Sequence, residues 1–218
     1  MSALVWDDTG DKKFETGTKN GVLFVMNTDG TYGNGVAWNG LTAVTESNSG
    51  AEETALWADD IKYATMRSAE EFGLTIEAYQ CPPEFYICDG SAELVANSGV
   101  TLGGQTRRGF GFSYVTTVGN DVAGRDYGYK IHLVYGCSAS PSERSYQTIN
   151  DSPDAMTLSW EVTTTPVNVP NFKPTAHIVI DSTLADSAKL TAFKETLYGG
   201  SNTESTLPLP AAVIQAFT

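Results

Sequence analysis

The chain has 218 residues, with 26 acidic against 13 basic side chains and a formal net charge of −13. That sign is the opposite of what a protein needs to bind nucleic acid by neutralising phosphates. A hydrophobic fraction of 41% and a charged fraction of 18% exclude a disordered chain and leave material for a real core.

Taken in chain order, residues 1 to 20 are polar and Gly-punctuated, with Trp6 and Phe14 as the large apolar side chains, which predicts an N-terminal arm. Val22 to Met26 is an apolar run short enough for a buried strand. Val36 to Trp38 and Leu41 to Thr45 read as a strand interrupted by a turn or bulge at Asn39-Gly40. Glu46 to Asp60 is rich in Ser, Asn, Gly and acids and predicts a long loop carrying Leu56 and Trp57, with Trp57 either offered to a partner surface or beginning the next strand and packing inward. Ile61 to Tyr63 and Phe72 to Tyr79 supply two strands on either side of a turn at Ser68 to Glu71. Pro82-Pro83 breaks the chain before a short apolar segment, helical or extended, from Glu84 to Cys88.

The frame of the fold is expected between Arg108 and Val162. Phe110, Phe112 and Tyr114 alternate with Gly111, Ser113 and Val115, so the three rings share one face of a strand. Turn chemistry from Gly119 to Asp126 leads into a return strand with Tyr129, Ile131, Leu133 and Tyr135 on one face and Gly128, Lys130, His132 and Val134 on the other. A third strand points Leu158, Trp160 and Val162 inward and Thr157, Ser159, Glu161 and Thr163 outward. Ala176 to Ile180 is a last strand. A helix then runs from about Leu184 to Tyr198, capped at Asp181 or Ser182, with Leu190, Phe193 and Leu197 on one stripe. An apolar C-terminal arm, about residues 205 to 218, has a brief helical option. A sheet with so aromatic an inner face needs a second layer, and the expected fold is mainly β: a single-domain, two-sheet β-sandwich with one flanking α-helix.

Chemistry is thinly written in this sequence. Arg108-Gly109-Phe110-Gly111-Phe112 copies the opening of an RNA-recognition strand, but Ser113 and Val115 depart from that pattern and the helices around it are missing, so the rings read as core. Asp8-Thr9-Gly10 matches an aspartic-protease triplet without the second carboxylate that the reaction requires. The acid pairs Asp7-Asp8, Glu52-Glu53 and Asp59-Asp60 lack calcium-loop spacing. His132 and His177 fall in separate predicted strands, outside any visible triad or zinc motif. Gly103-Gly104-Gln105-Thr106 lacks the Lys of a phosphate loop. Cys81, Cys88 and Cys137 have no zinc spacing and read as reduced thiols. No catalytic, cofactor or metal site is expected. No basic leader followed by an apolar run, and no stretch of about 18 apolar residues, stands in the sequence, which reads as made in a cytoplasm without a membrane span.

Six pieces in order, Gly35 to Leu41, Ala58 to Tyr63, Ser68 to Gly73, Asp126 to Gly136, Ile149 to Pro153 and Trp160 to Thr164, resemble the major tail proteins of long-tailed, non-contractile bacterial viruses. The resemblance spans most of the chain, and the ordered set carries it rather than any one piece. It implies the minimal tail-tube fold, without an appended immunoglobulin-like domain. It further implies a non-enzymatic virion protein, assembled in the host cytoplasm, whose hexameric rings stack into the tube that conducts DNA during ejection. Partners would be further copies of itself and the tape-measure, tail-terminator and tail-tip proteins, with DNA passing unbound. The matching ring-stacking loop here is about residues 46 to 60, with Glu46, Glu52, Glu53, Trp57 and Asp59. Thr157, Ser159, Glu161 and Thr163 are the expected lumen-facing set, since a wall of acids and hydroxyls does not exchange counterions with passing phosphates. The rival reading is a tail-tip or baseplate β-sandwich that binds host carbohydrate; an acid-dyad hydrolase is a distant third.

Overall fold

The computed structural model describes residues 4–95, 98–149 and 155–218. Of the motif from Ile149 to Pro153, all but Ile149 lies outside them. The elements in chain order are β1 (Lys13–Met26), β2 (Tyr32–Trp38), β3 (Leu41–Gly50), β4 (Glu53–Ala58), β5 (Ile61–Arg67), β6 (Glu70–Ala78), a 3-10 turn (Pro83–Phe85) and α1 (Tyr86–Asp89). After them come β7 (Ala92–Glu93), β8 (Thr101–Leu102), β9 (Phe110–Asn120), β10 (Gly124–Ala139), β11 (Leu158–Thr164), β12 (His177–Asp181), α2 (Ser187–Tyr198) and α3 (Pro210–Phe217). The chain is mainly β, as a sandwich requires.

Eight strands form one antiparallel sheet in the order β2-β1-β9-β10-β11-β6-β3, with β12 paired to β10 off that path. Its two ends, β2 and β3, are consecutive in sequence and joined only by Asn39-Gly40, so the sheet must fold back on itself. Asn39-Gly40 is therefore a crossing between layers rather than a bulge within one strand, with Gly40 in the left-handed region at φ +78°. The fold-over is made by β10. Residues 130–134 pair with β12 and residues 137–139 with β11. Between them Gly136 takes φ +59°, where a Cβ would stand 2.2 Å from the Thr165 carbonyl oxygen.

The inner core lies between β3-β6-β11 and β2-β1-β9-β10. Trp160 meets Trp38 and Phe85 edge-on with centroids 5.4 Å apart in each case, and Phe112 meets Trp38 at 5.6 Å. Leu74, Ile76, Phe110 and Val162 belong to the same cluster. The alternation of Phe110, Phe112 and Tyr114 is thus a core face, and their burial rules out stacking on bases. The opposite face of β9 and β10 presents Val115, Ile131, Leu133 and Tyr135 to α2, whose Leu190, Phe193 and Leu197 cover them. Burying each such side chain contributes about 1.5–3 kcal/mol, far more than a surface ion pair.

Four expectations change. The N-terminal arm is shorter than expected, because β1 starts at Lys13 and pairs with β9 from Lys13↔Asn120 onward; its polar residues hid a strand held by backbone bonds. The 46–60 stretch is not a loop: β3 runs on to Gly50 and β4 pairs with β5 as a hairpin. The helix begins later, at Ser187, because Asp186 accepts from the amides of Ala188 and Lys189 at 3.0 Å, while Asp181 closes its own turn on Thr183. The C-terminal arm is docked: Leu207 and Val213 enter the second core, and the Tyr135 hydroxyl donates to the Pro208 carbonyl at 2.8 Å.

Candidate functional site

The β4–β5 hairpin projects as its own two-stranded sheet beyond the ends of β3 and β6. Its tip is Asp59-Asp60, both with positive φ, the backbone of a tight primed turn. An Arg67–Glu53 ion pair ties its open end. Trp57 is 70% exposed, and Leu56, Ile61, Tyr63 and Met66 are exposed with it. A lone two-stranded hairpin is marginal in water, and so many exposed apolar side chains make this one a candidate contact surface.

Of the residues expected to act in ring stacking, Glu53, Trp57 and Asp59 lie on this hairpin and Glu52 at its base. Glu46 does not join them. It sits in β3 opposite Leu74, on the face turned to the sandwich interior.

The outer face of the β3-β6-β11 layer follows from register. Ser159, Glu161 and Thr163 oppose Glu77, Thr75 and Gly73, which in turn oppose Ala43, Thr45 and Ser47. The result is a continuous surface of small, hydroxyl and acidic side chains with no lysine or arginine among these nine residues. Thr157, just before β11, is exposed beside it.

The sequence did not bring together a third group. His132 on β10 and His177 on β12 approach each other at 3.1 Å, Nδ1 to Nε2. Glu46 Oε1 stands 3.4 Å from His132 Nδ1 and 3.8 Å from His177 Nε2. Tyr114 donates its hydroxyl to Glu46 at 2.5 Å and stacks on His132 with centroids 4.4 Å apart. Phe72 stacks on His177 at 4.5 Å. On the far side of His132, Thr116 donates to Glu15 Oε1 at 2.5 Å, so it accepts the 3.0 Å contact from His132 Nε2. That fixes the tautomer, with the His132 proton on Nε2 and the Nδ1 lone pair turned toward Glu46 and His177.

Burial holds His132 down to about 4, with His177 adding to the shift, and burial also lowers His177. Both rings are neutral at pH 7. Burial raises the Glu15 carboxyl, but hydrogen bonds from Lys130, at 2.5 Å, and Thr116 outweigh it and leave the carboxyl below its ordinary value. A cleft of about 260 Å³, bordered by Asn48, Glu70, Phe72 and Thr175, opens onto His177. The available signal was the pairing of His132 with Tyr114 across β9 and β10, but Glu46 reaches them only through the layer crossing.

No protein-family model matches the sequence, and no curated protein matches it. Among solved structures, a chain of the anti-feeding prophage baseplate, determined by cryo-EM with six-fold symmetrisation, aligns over 83% of this chain and 100% of its own. Identity is 8% and the TM-score 0.37, a level too low to establish a shared fold. Among the described residues no helix is long and apolar enough to cross a membrane.

Proposed function

We propose that this chain is a structural subunit of a virus-type tail, and that its copies form hexameric rings that stack into the tube conducting DNA during ejection. The observation that carries the reading is the β4–β5 hairpin, which holds Trp57, Ile61, Tyr63 and Met66 out in solvent on an element that cannot bury them itself. In the tube it reaches the next ring, where a second copy covers those side chains. Contacts between unlike surfaces of identical subunits are the kind that extend into filaments.

The β3-β6-β11 outer face is the wall. With Glu71, Glu77 and Glu161 and neighbouring hydroxyls, it offers passing phosphates no fixed cation to exchange for their counterions. The ordered resemblance of the sequence to tail-tube proteins of long-tailed viruses supports the same reading. Tape-measure, tail-terminator and tail-tip proteins would be its other partners, and the virion tail its location.

Negative-stain microscopy of the concentrated, purified protein tests it. Hollow tubes or six-membered rings are expected. A protein that stays monomeric at high concentration and binds host glycans would overturn the tube in favour of a tail-tip or baseplate module.

A further inference from the structure

We propose that Glu46, His132 and His177 form a divalent transition-metal site of the zinc class, which clamps the base of the hairpin-bearing layer to the main sheet. Three observations carry it. The donor atoms Glu46 Oε1, His132 Nδ1 and His177 Nε2 form a triangle with sides of 3.1, 3.4 and 3.8 Å. Ligands held at about 2.0–2.1 Å around tetrahedral zinc are separated by about 3.3–3.4 Å, so these atoms already have the spacing of three coordination corners. The donor set of two imidazoles and one carboxylate suits such an ion and is poor for calcium or magnesium.

The second observation is what surrounds the donors. A ligating histidine ordinarily gives its other N–H to an oxygen, which sets the ring and the tautomer. His132 does this through Thr116, itself held by Glu15. Glu46 is oriented by the Tyr114 hydroxyl, and the two rings are wedged between Tyr114 and Phe72. A hydrogen now bridges the rings from His177 Nε2 to His132 Nδ1; on metal binding it moves to the Nδ1 of His177, freeing both lone pairs.

The third is access. Glu46 is partly exposed and the cleft beside His177 leads to solvent, so an ion can enter and a water can take the fourth position. The three ligands come from β3, β10 and β12, so a bound ion would cross-link the two layers of the sandwich. Glu46 lies only a few residues before the strand end from which the hairpin projects, and occupancy would stiffen the arm.

The test is a titration of the EDTA-dialysed, full-length protein with Zn²⁺ by calorimetry, with Co²⁺ as a spectroscopic probe. One equivalent per chain is expected, with the visible bands of tetrahedral cobalt and a rise in Tm on zinc addition. Glu46→Gln, which is isosteric, and His177→Asn, which stays polar, abolish the bands, and Thr116→Val weakens affinity by about 10- to 100-fold. Circular dichroism confirms that each variant is folded. No binding by the wild-type chain, or binding unchanged in folded Glu46→Gln and His177→Asn, overturns the site.

Discussion

Tyr114 on β9 donates its hydroxyl to Glu46 on β3 at 2.5 Å, a hydrogen bond that runs from one layer of the sandwich to the other. The carboxylate side chain is 39% exposed, so water can replace the donor once it is gone. Tyr114→Phe is therefore expected to lower the unfolding free energy by about 1.5 kcal/mol, the low end for a bond to a charged acceptor. Urea melts of the two proteins measure it, and a change under about 0.5 kcal/mol means the bond is absent in solution.

Trp160 is fully buried among Trp38, Phe85 and Val162, and among the described residues its indole N–H has no hydrogen-bond partner. Trp160→Ala is expected to cost about 3–5 kcal/mol through the cavity it leaves. Trp160→Phe removes an unsatisfied donor together with part of the ring, and should cost well under half as much. Equal losses in the two variants would show that the N–H is paired after all.

Gly136→Ala should be among the most damaging single-methyl changes in the chain. The left-handed backbone alone costs a non-glycine residue about 1–3 kcal/mol, and the new Cβ meets the Thr165 carbonyl at 2.2 Å. Gly103→Ala, which meets nothing within 4 Å, is the control. Comparable melting temperatures for the two variants would argue against the kink.

The thiols should react in a fixed order. Cys81 is half-buried, whereas Cys88 and Cys137 are buried. Burial pushes Cys88 up to about 12 and Cys137 higher still. The sign favours the thiol: at pH 8 a group titrating near 12 is thiolate in about one molecule in ten thousand, and only thiolate attacks. A disulfide reagent added to native protein should label Cys81 first and the other two only on unfolding. Rapid labelling of all three would contradict the buried positions.

Trp57→Ser and Glu161→Lys test the proposed stacking hairpin and the proposed tube wall separately. Trp57 touches little within its own subunit, so Trp57→Ser should leave Tm within about 1 °C of wild type while abolishing tubes. Glu161→Lys should still assemble, but its tubes should retain DNA in a salt-dependent way. Normal tubes from Trp57→Ser would remove the hairpin from the interface.

Much of the sandwich was legible because burial imposes a period of two. Alternation alone puts Phe110, Phe112 and Tyr114 on one face of β9 and Ile131, Leu133 and Tyr135 on one face of β10, but not that the two sets enter different cores. The same rule explains what was missed. Thr54, Ala55, Leu56 and Trp57 are exposed on both faces of β4, so the hairpin has no alternation to read, and its turn is Asp59-Asp60 rather than Asn-Gly. The first half of β1 is polar apart from Phe14 and is held by backbone pairing with β9. The histidine pair was hidden for a different reason: Glu46, His132 and His177 meet only because consecutive strands are dealt to opposite ends of the sheet.

The passage of β10 through both layers has a mechanical consequence. In a sandwich of two separate sheets the layers are joined by interdigitated side chains and by connecting loops, with no strand shared between them. Here one covalent backbone threads both at Gly136, so a shearing force on either layer loads peptide bonds and ladder hydrogen bonds together. Such a subunit deforms as a single plate, and it should yield abruptly rather than creep.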